Sequence, residues 1–123
     1  MPTYQNVVPP VSLSSGDVGF SFSNEAFPGA NTSGSQFALP SYTGLPDGGT
    51  SVRWQTIFGT NPTAVNLALQ GAINDVDAEY QTIDSSTATA GEARSVANVQ
   101  ARFLRVKLVS STSGSGLTVK ILV

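Results

Sequence analysis

The feature that most constrains this chain is a strict two-residue hydrophobic rhythm in its second half. Val52, Trp54, Thr56 and Phe58 alternate with Ser51, Arg53, Gln55 and Ile57, and Val65, Leu67 and Leu69 alternate with Asn66, Ala68 and Gln70. Leu104, Val106 and Leu108 mark one face of residues 101–109, with Arg105 and Lys107 on the other. Leu117, Val119, Ile121 and Val123 then alternate with Thr118, Lys120 and Leu122. Side chains on a strand point to opposite faces in turn, so each run predicts a strand with one buried face. Tyr80–Asp84 and Ser95–Val99 are shorter strand candidates, and Val18, Phe20 and Phe22 set a further one against Gly19, Ser21 and Ser23. The Gly/Ser-rich stretch 110–116 reads as the loop of an antiparallel hairpin closing the chain. Several short strands between turn signals predict an all-β fold, an antiparallel β-sandwich or jelly roll.

One segment reads two ways. Asn61-Pro62 followed by TAVNLALQGAIN has the cap and first-position proline of a helix. Gly71 would cost that helix about 1 kcal/mol relative to alanine, and the Val65/Leu67/Leu69 alternation favours a strand.

The first half is organised differently. Residues 1–16 (MPTYQNVVPPVSLSSG) read as an extended arm, because Pro2, Pro9 and Pro10 remove donors and bias their predecessors toward extended geometry. The arm carries Tyr4, Val7, Val8, Val11 and Leu13, side chains that call for a docking surface, on the chain's own sandwich or on a neighbouring subunit. Residues 24–50 are rich in Gly, Pro, Ser and Asn and read as a long irregular loop carrying Phe27, Phe37, Leu39 and Tyr42. Residues 17–123 thus form one sandwich domain.

With 123 residues, one domain fits, and its core needs no covalent staples. There is no cysteine and no histidine. Disulfides, thiolate nucleophiles, cysteine–zinc sites, histidine–zinc triads and the Ser-His-Asp relay are therefore excluded. The polar residues are mostly short: 16 Ser and 12 Thr exceed the six cations and eight acids combined. Such side chains lose little entropy when ordered and can be covered by another protein without burying a charge. Six dispersed bases make no phosphate-binding stripe, so no nucleic-acid partner is expected. No charged-then-apolar leader and no apolar run near 18 residues is visible, so neither a signal peptide nor a membrane partner is expected.

Candidate sites are few. Asn74-Asp75-Val76-Asp77-Ala78-Glu79 alternates oxygen ligands as calcium loops do, but counted from Asp75 the sixth position is Tyr80 and the twelfth Ser86, where an EF-hand needs Gly and Glu. An acidic turn without metal is the expectation. The clustered acids Asp75, Asp77, Glu79, Asp84 and Glu92 sit on one turn and its flanks, not across a glycosidase cleft. No serine lies in a nucleophile elbow, and Gly114-Ser115-Gly116 lacks the phosphate-loop frame. Asn31-Thr32-Ser33 matches a glycosylation sequon, read as a chance match in a polar loop. Trp54 reads as a core anchor, with a sugar-stacking platform as the alternative. Arg102 reads as a rim residue paired with Asp84 or Glu92, or used at an interface. No catalytic residue and no cofactor emerge.

The stretch from Thr63 to Val123 also resembles a known class. Its V-x-L-x-L-x-G strand, Asn/Asp turn, short strand ending in D-S-S-T, G-E element, V-x-N-x-x-A-R-F-L-R strand and closing Gly/Ser loop are similar to small β-sandwich modules in structural proteins of tailed bacteriophages. Tyr80 stands where such modules often have tryptophan. The resemblance, joined to the arm, implies a capsid decoration (cement) protein on the virion exterior, not an enzyme. Its partners would be the major capsid protein and other copies of itself, with Tyr4, Val7, Val8, Pro9, Pro10, Val11, Phe27, Phe37, Leu39 and Tyr42 as contacts. The alternatives are a tail, neck or fibre-base protein, or a carbohydrate-binding module that stacks sugars on Trp54 or Tyr42.

Overall fold

The computed structural model describes residues 11–13, 16–39 and 50–123. Tyr4, Val7, Val8, Pro9, Pro10 and Tyr42, expected as contacts, lie outside the described residues.

Among the described residues, ten strands form two sheets: β1 (Val11–Ser12), β2 (Val18–Glu25), β3 (Thr32–Ser33), β4 (Phe37–Ala38), β5 (Thr50–Ile57), β6 (Ala64–Ala72), β7 (Gln81–Ser86), β8 (Glu92–Val99), β9 (Phe103–Thr112) and β10 (Leu117–Leu122). One sheet runs β1-β4-β9-β6-β7, with β3 also on β9, and the other runs β2-β10-β5-β8. All pairs are antiparallel except β1–β4, which is parallel. The alternating residues of the two inner faces meet as the core of a β-sandwich. Leu67, Leu69, Leu104, Val106 and Leu108 from one sheet, and Leu117, Val119 and Ile121 from the other, are fully buried.

Four readings of the sequence change. The stretch 24–50 contains β3 and β4, both laid on β9, and Phe37 and Leu39 are core residues at 4% and 3% exposure. Of the segment read as an arm, Val11–Ser12 adds a strand to β4, and Leu13 is buried with its N–H bonded to the Ala38 carbonyl. The last two strands are not a hairpin, because β9 and β10 belong to different sheets. Each already has hydrogen-bonded neighbours on both sides, so residues 113–116 arch between the layers, and Ser115 bridges to Thr60. Finally, Val18, Phe20 and Phe22 do not share one face. Phe22 pairs with Val119 but Phe20 with Lys120, so Ser21 is an extra residue. Such a bulge inverts the side-chain alternation on one side of itself. Phe22 is therefore buried, while Phe20 and Val18 turn outward.

The bulged Ser21 is put to use. Its hydroxyl donates to the Ser35 carbonyl at 3.1 Å and accepts the Val106 N–H at 3.0 Å, stitching β2 to β9 across the layers. Gly34 passes so close that a Cβ would stand 2.3 Å from the Ser21 carbonyl oxygen. Only glycine fits there.

Candidate functional site

Three constructions hold the chemistry-bearing side chains, and in two of them the polar groups bind the sandwich's own strands and turn. The first ties the open seam between β7 and β8. Asp84 on β7 accepts the indole N–H of Trp54 at 3.0 Å and two bonds from Arg94 at 2.8 and 3.1 Å. One carboxylate thus joins β7 of one sheet to β5 and β8 of the other. Burial works to raise the Asp84 carboxyl, but hydrogen bonds from Arg94, Trp54 and the Ser85 N–H hold it below the usual carboxylate value. Glu92 extends the clamp by accepting from the Ser86 hydroxyl at 2.6 Å and from Arg94 at 3.4 Å. Trp54 is 1% exposed, so it is the core anchor and offers no face for stacking a sugar.

The second is the acidic turn. After β6, a 3-10 turn (Asp77–Glu79) folds back, and its flanking residues cover the outer face of the sheet. Tyr80 is buried and donates to Asp75 Oδ1 at 2.6 Å. Burial, reinforced by that bond, pushes the Tyr80 phenol far above its ordinary range. Arg105 lies 3.9 Å over the Tyr80 ring and donates to Gln70 Oε1 at 3.0 Å and Asp77 Oδ1 at 2.9 Å. Glu79 accepts from the Asn74 amide. The acids therefore diverge onto separate protein partners, and among the described residues no three of them converge on a point that would hold a metal ion.

These two constructions each correct an expectation. Arg105, expected on the solvated face of its strand, is 7% exposed. Arg94, not Arg102, pairs with Asp84 and Glu92, while Arg102 is exposed. No sequence period announces either arrangement, because both depend on which strands become neighbours.

The third construction is outward. At one end of the sandwich, β2, β5, β7 and β9 begin and β6, β8 and β10 finish. All five exposed large hydrophobic side chains among the described residues lie toward this end: Val18, Phe20, Ile73, Ile83 and Leu122. They form two patches. On the outer face of β2-β10-β5, Val18 stands beside Leu122 and Leu122 beside Arg53, and one step along Phe20 stands beside Lys120 and Lys120 beside Gln55. On the opposite flank, a groove of about 550 Å³ opens between the β6–β7 hairpin and the end of β8, with Ile73, Glu79, Ile83 and Asn98 around it. Its floor is Gly71, where a Cβ would stand 2.6 Å from Ile83 Cδ1 and 2.9 Å from the Ala101 methyl. Its far wall is bent by one extra residue in β8 opposite β5, with Asn98 at φ 59°.

The expected contact residues fare unevenly. Phe37 and Leu39 are in the core and present no outward contact. Phe27 is half-buried and stacks on Phe58 at 5.8 Å. Val11 lies in the edge strand β1. The two outward patches escaped the sequence reading. The bulge hid Phe20, and only the break in alternation at Ile73, just before the Asn/Asp turn, signalled the other.

A two-layer β-sandwich with polar clamps that tie its own strands and with exposed apolar side chains at one end is thus the class defined by this fold. No known family pattern matches the chain, and no curated protein matches it either. Among solved structures it is similar to the SPBc2 prophage-derived protein YomS, with a TM-score of 0.51 and 14% identity over 94% of this chain and 96% of that one. That likeness is one of fold over nearly the whole length.

Proposed function

We propose that this chain is a structural protein of a bacteriophage virion, a decoration (cement) protein that binds the outside of the head and stabilises the shell. The observation that carries the reading is the end-to-end likeness of its sandwich to a prophage-derived protein. The bacteriophage-like motif series of residues 63–123 agrees with it. So does the way the polar side chains are spent: Asp84, Arg94, Arg105 and Asp77 serve the sandwich itself, and the outward features are apolar patches. Exposed apolar surface of that kind marks interaction sites. Burial contributes about 25 cal/mol per Å² of apolar area, and many weak copies on a lattice add up.

The chain enters the sandwich through an edge strand, with Val11 paired to Phe37. Residues 1–10 are proposed to reach neighbouring shell subunits through Tyr4, Val7 and Val8. A chain lacking residues 1–10 keeps β1 and folds normally, but is expected to co-sediment with undecorated heads at a small fraction of the full-length stoichiometry. Full-length chain that fails to saturate such heads at a fixed ratio to the shell protein would refute the decoration role. Equal binding by the truncated chain would refute the role of the arm alone.

A further inference from the structure

We propose that the chain associates head to tail with a second copy of itself, the face carrying Val18, Phe20, Lys120 and Leu122 seating against the groove bordered by Ile73, Glu79 and Ile83 of the next copy. The two surfaces complement each other in kind and in sign. The first is a flat sheet face with three exposed apolar side chains, at 50%, 45% and 39% exposure for Val18, Phe20 and Leu122. Its neighbouring charges are Lys120, which lies 5.6 Å over the Phe20 ring, and Arg53. No carboxylate stands in the two residue rows that cross this face from β2 to β8. The second is concave, floored by Gly71 and Ala101, flanked by Ile73 at 68% exposure, and edged by Glu79, while Asp77 on the same turn is already paired with Arg105. A flat face bearing apolar side chains and cations thus exists on the same chain as a concave groove of mixed lining with an acid at its edge.

The geometry also disfavours the self-mating alternatives. A two-fold contact of sheet face on sheet face would bring the Lys120 and Arg53 of both copies into one interface with no carboxylate in those two rows to meet them, and groove on groove would bring together both copies of Glu79. Like charges brought together in this way are repelled. The favourable pairing is therefore between different surfaces, which generates a closed ring or an open chain of copies and not a two-fold dimer. This contact goes beyond the virion reading: heads decorated by a strictly monomeric chain would overturn the contact and leave that reading standing.

The test uses the full chain and two substitutions at exposed positions, Phe20→Ser and Ile73→Ser, with far-UV circular dichroism verifying that both fold. In sedimentation equilibrium the unaltered chain is expected to exceed its 12.7 kDa monomer mass as concentration rises, with association at least tenfold weaker in high salt. Each variant alone is expected to be monomeric, since each lacks one half of the contact. An equimolar mixture is expected to form a one-to-one pair, because the intact groove of Phe20→Ser accepts the intact face of Ile73→Ser. Lys120→Glu and Glu79→Lys should behave alike, each weakened alone and restored on mixing. A monomeric parent chain, a variant that assembles as well as the parent, or a mixture that does not pair would overturn the proposal.

Discussion

Replacing Asp84 by alanine removes the acceptor for a tryptophan buried to 1% exposure. The indole N–H then has no partner where water cannot easily follow, and an unsatisfied buried donor costs about 1–3 kcal/mol. The Arg94 arm of the clamp faces solvent and is given no share of that figure, because exposed ion pairs contribute little. Asp84→Asn keeps a carbonyl oxygen for the indole and should lose less than half as much. Trp54 is the only tryptophan, so its emission reports unfolding directly. At a urea m-value of about 2 kcal/mol/M, the Asp84→Ala midpoint falls by roughly 0.5–1.5 M. A cycle with Trp54→Phe, followed by circular dichroism, isolates the pair: once the indole is gone, Asp84→Ala should cost much less. The pH dependence has a fixed sign. The folded-state carboxyl sits below its ordinary value of 3.8, so its contribution is complete above that value and is lost as pH falls through the lower, folded-state one. The gap between the parent chain and Asp84→Asn should therefore narrow below about pH 4. Asp84→Ala within about 0.5 kcal/mol of the parent, the range of ordinary surface changes, would refute the reasoning.

Other outcomes follow from the same structure. Leu108→Ala, at a fully buried position on the central strand β9, should lose about 2–5 kcal/mol in urea unfolding. Gly34→Ala should be destabilising out of proportion to one methyl, because its Cβ would stand 2.3 Å from the Ser21 carbonyl oxygen; a melting temperature equal to the parent's would contradict the stitch between β2 and β9. Arg105→Leu should cost about 1–3 kcal/mol by leaving Gln70 without its donor, and faster amide exchange across residues 74–80 would localise the damage to the acidic turn.

The sandwich was legible because an inward face imposes a period of two, which Leu67, Leu69, Val119 and Ile121 obey. The same rhythm resolved the ambiguity after Pro62: residues 64–72 are strand β6. Alternation, however, does not say which strands pair. A hairpin and an arch need the same Leu104-to-Ile121 pattern, so the link between β9 and β10 was misread. Nor does it reveal a bulge, and the extra residue at Ser21 moved Phe20 from the expected core face to the surface. Phe37 and Leu39 were misassigned for the opposite reason. They sit in a glycine-rich stretch whose short strands form only because β9 offers a free edge. The Asp84–Arg94 and Tyr80–Arg105 contacts join residues on different strands, or a turn to a strand, and local spacing carries no trace of them.

The central claim concerns where the protein resides, and particle composition tests it most directly. Phage particles from the source of the gene would be fractionated on a density gradient, and this chain quantified by mass spectrometry in each fraction. The account predicts hundreds of copies per particle, in a fixed ratio to the major shell protein and confined to head-containing fractions. A handful of copies would contradict decoration in favour of a tail or neck position, and absence from every particle fraction would contradict the virion reading altogether.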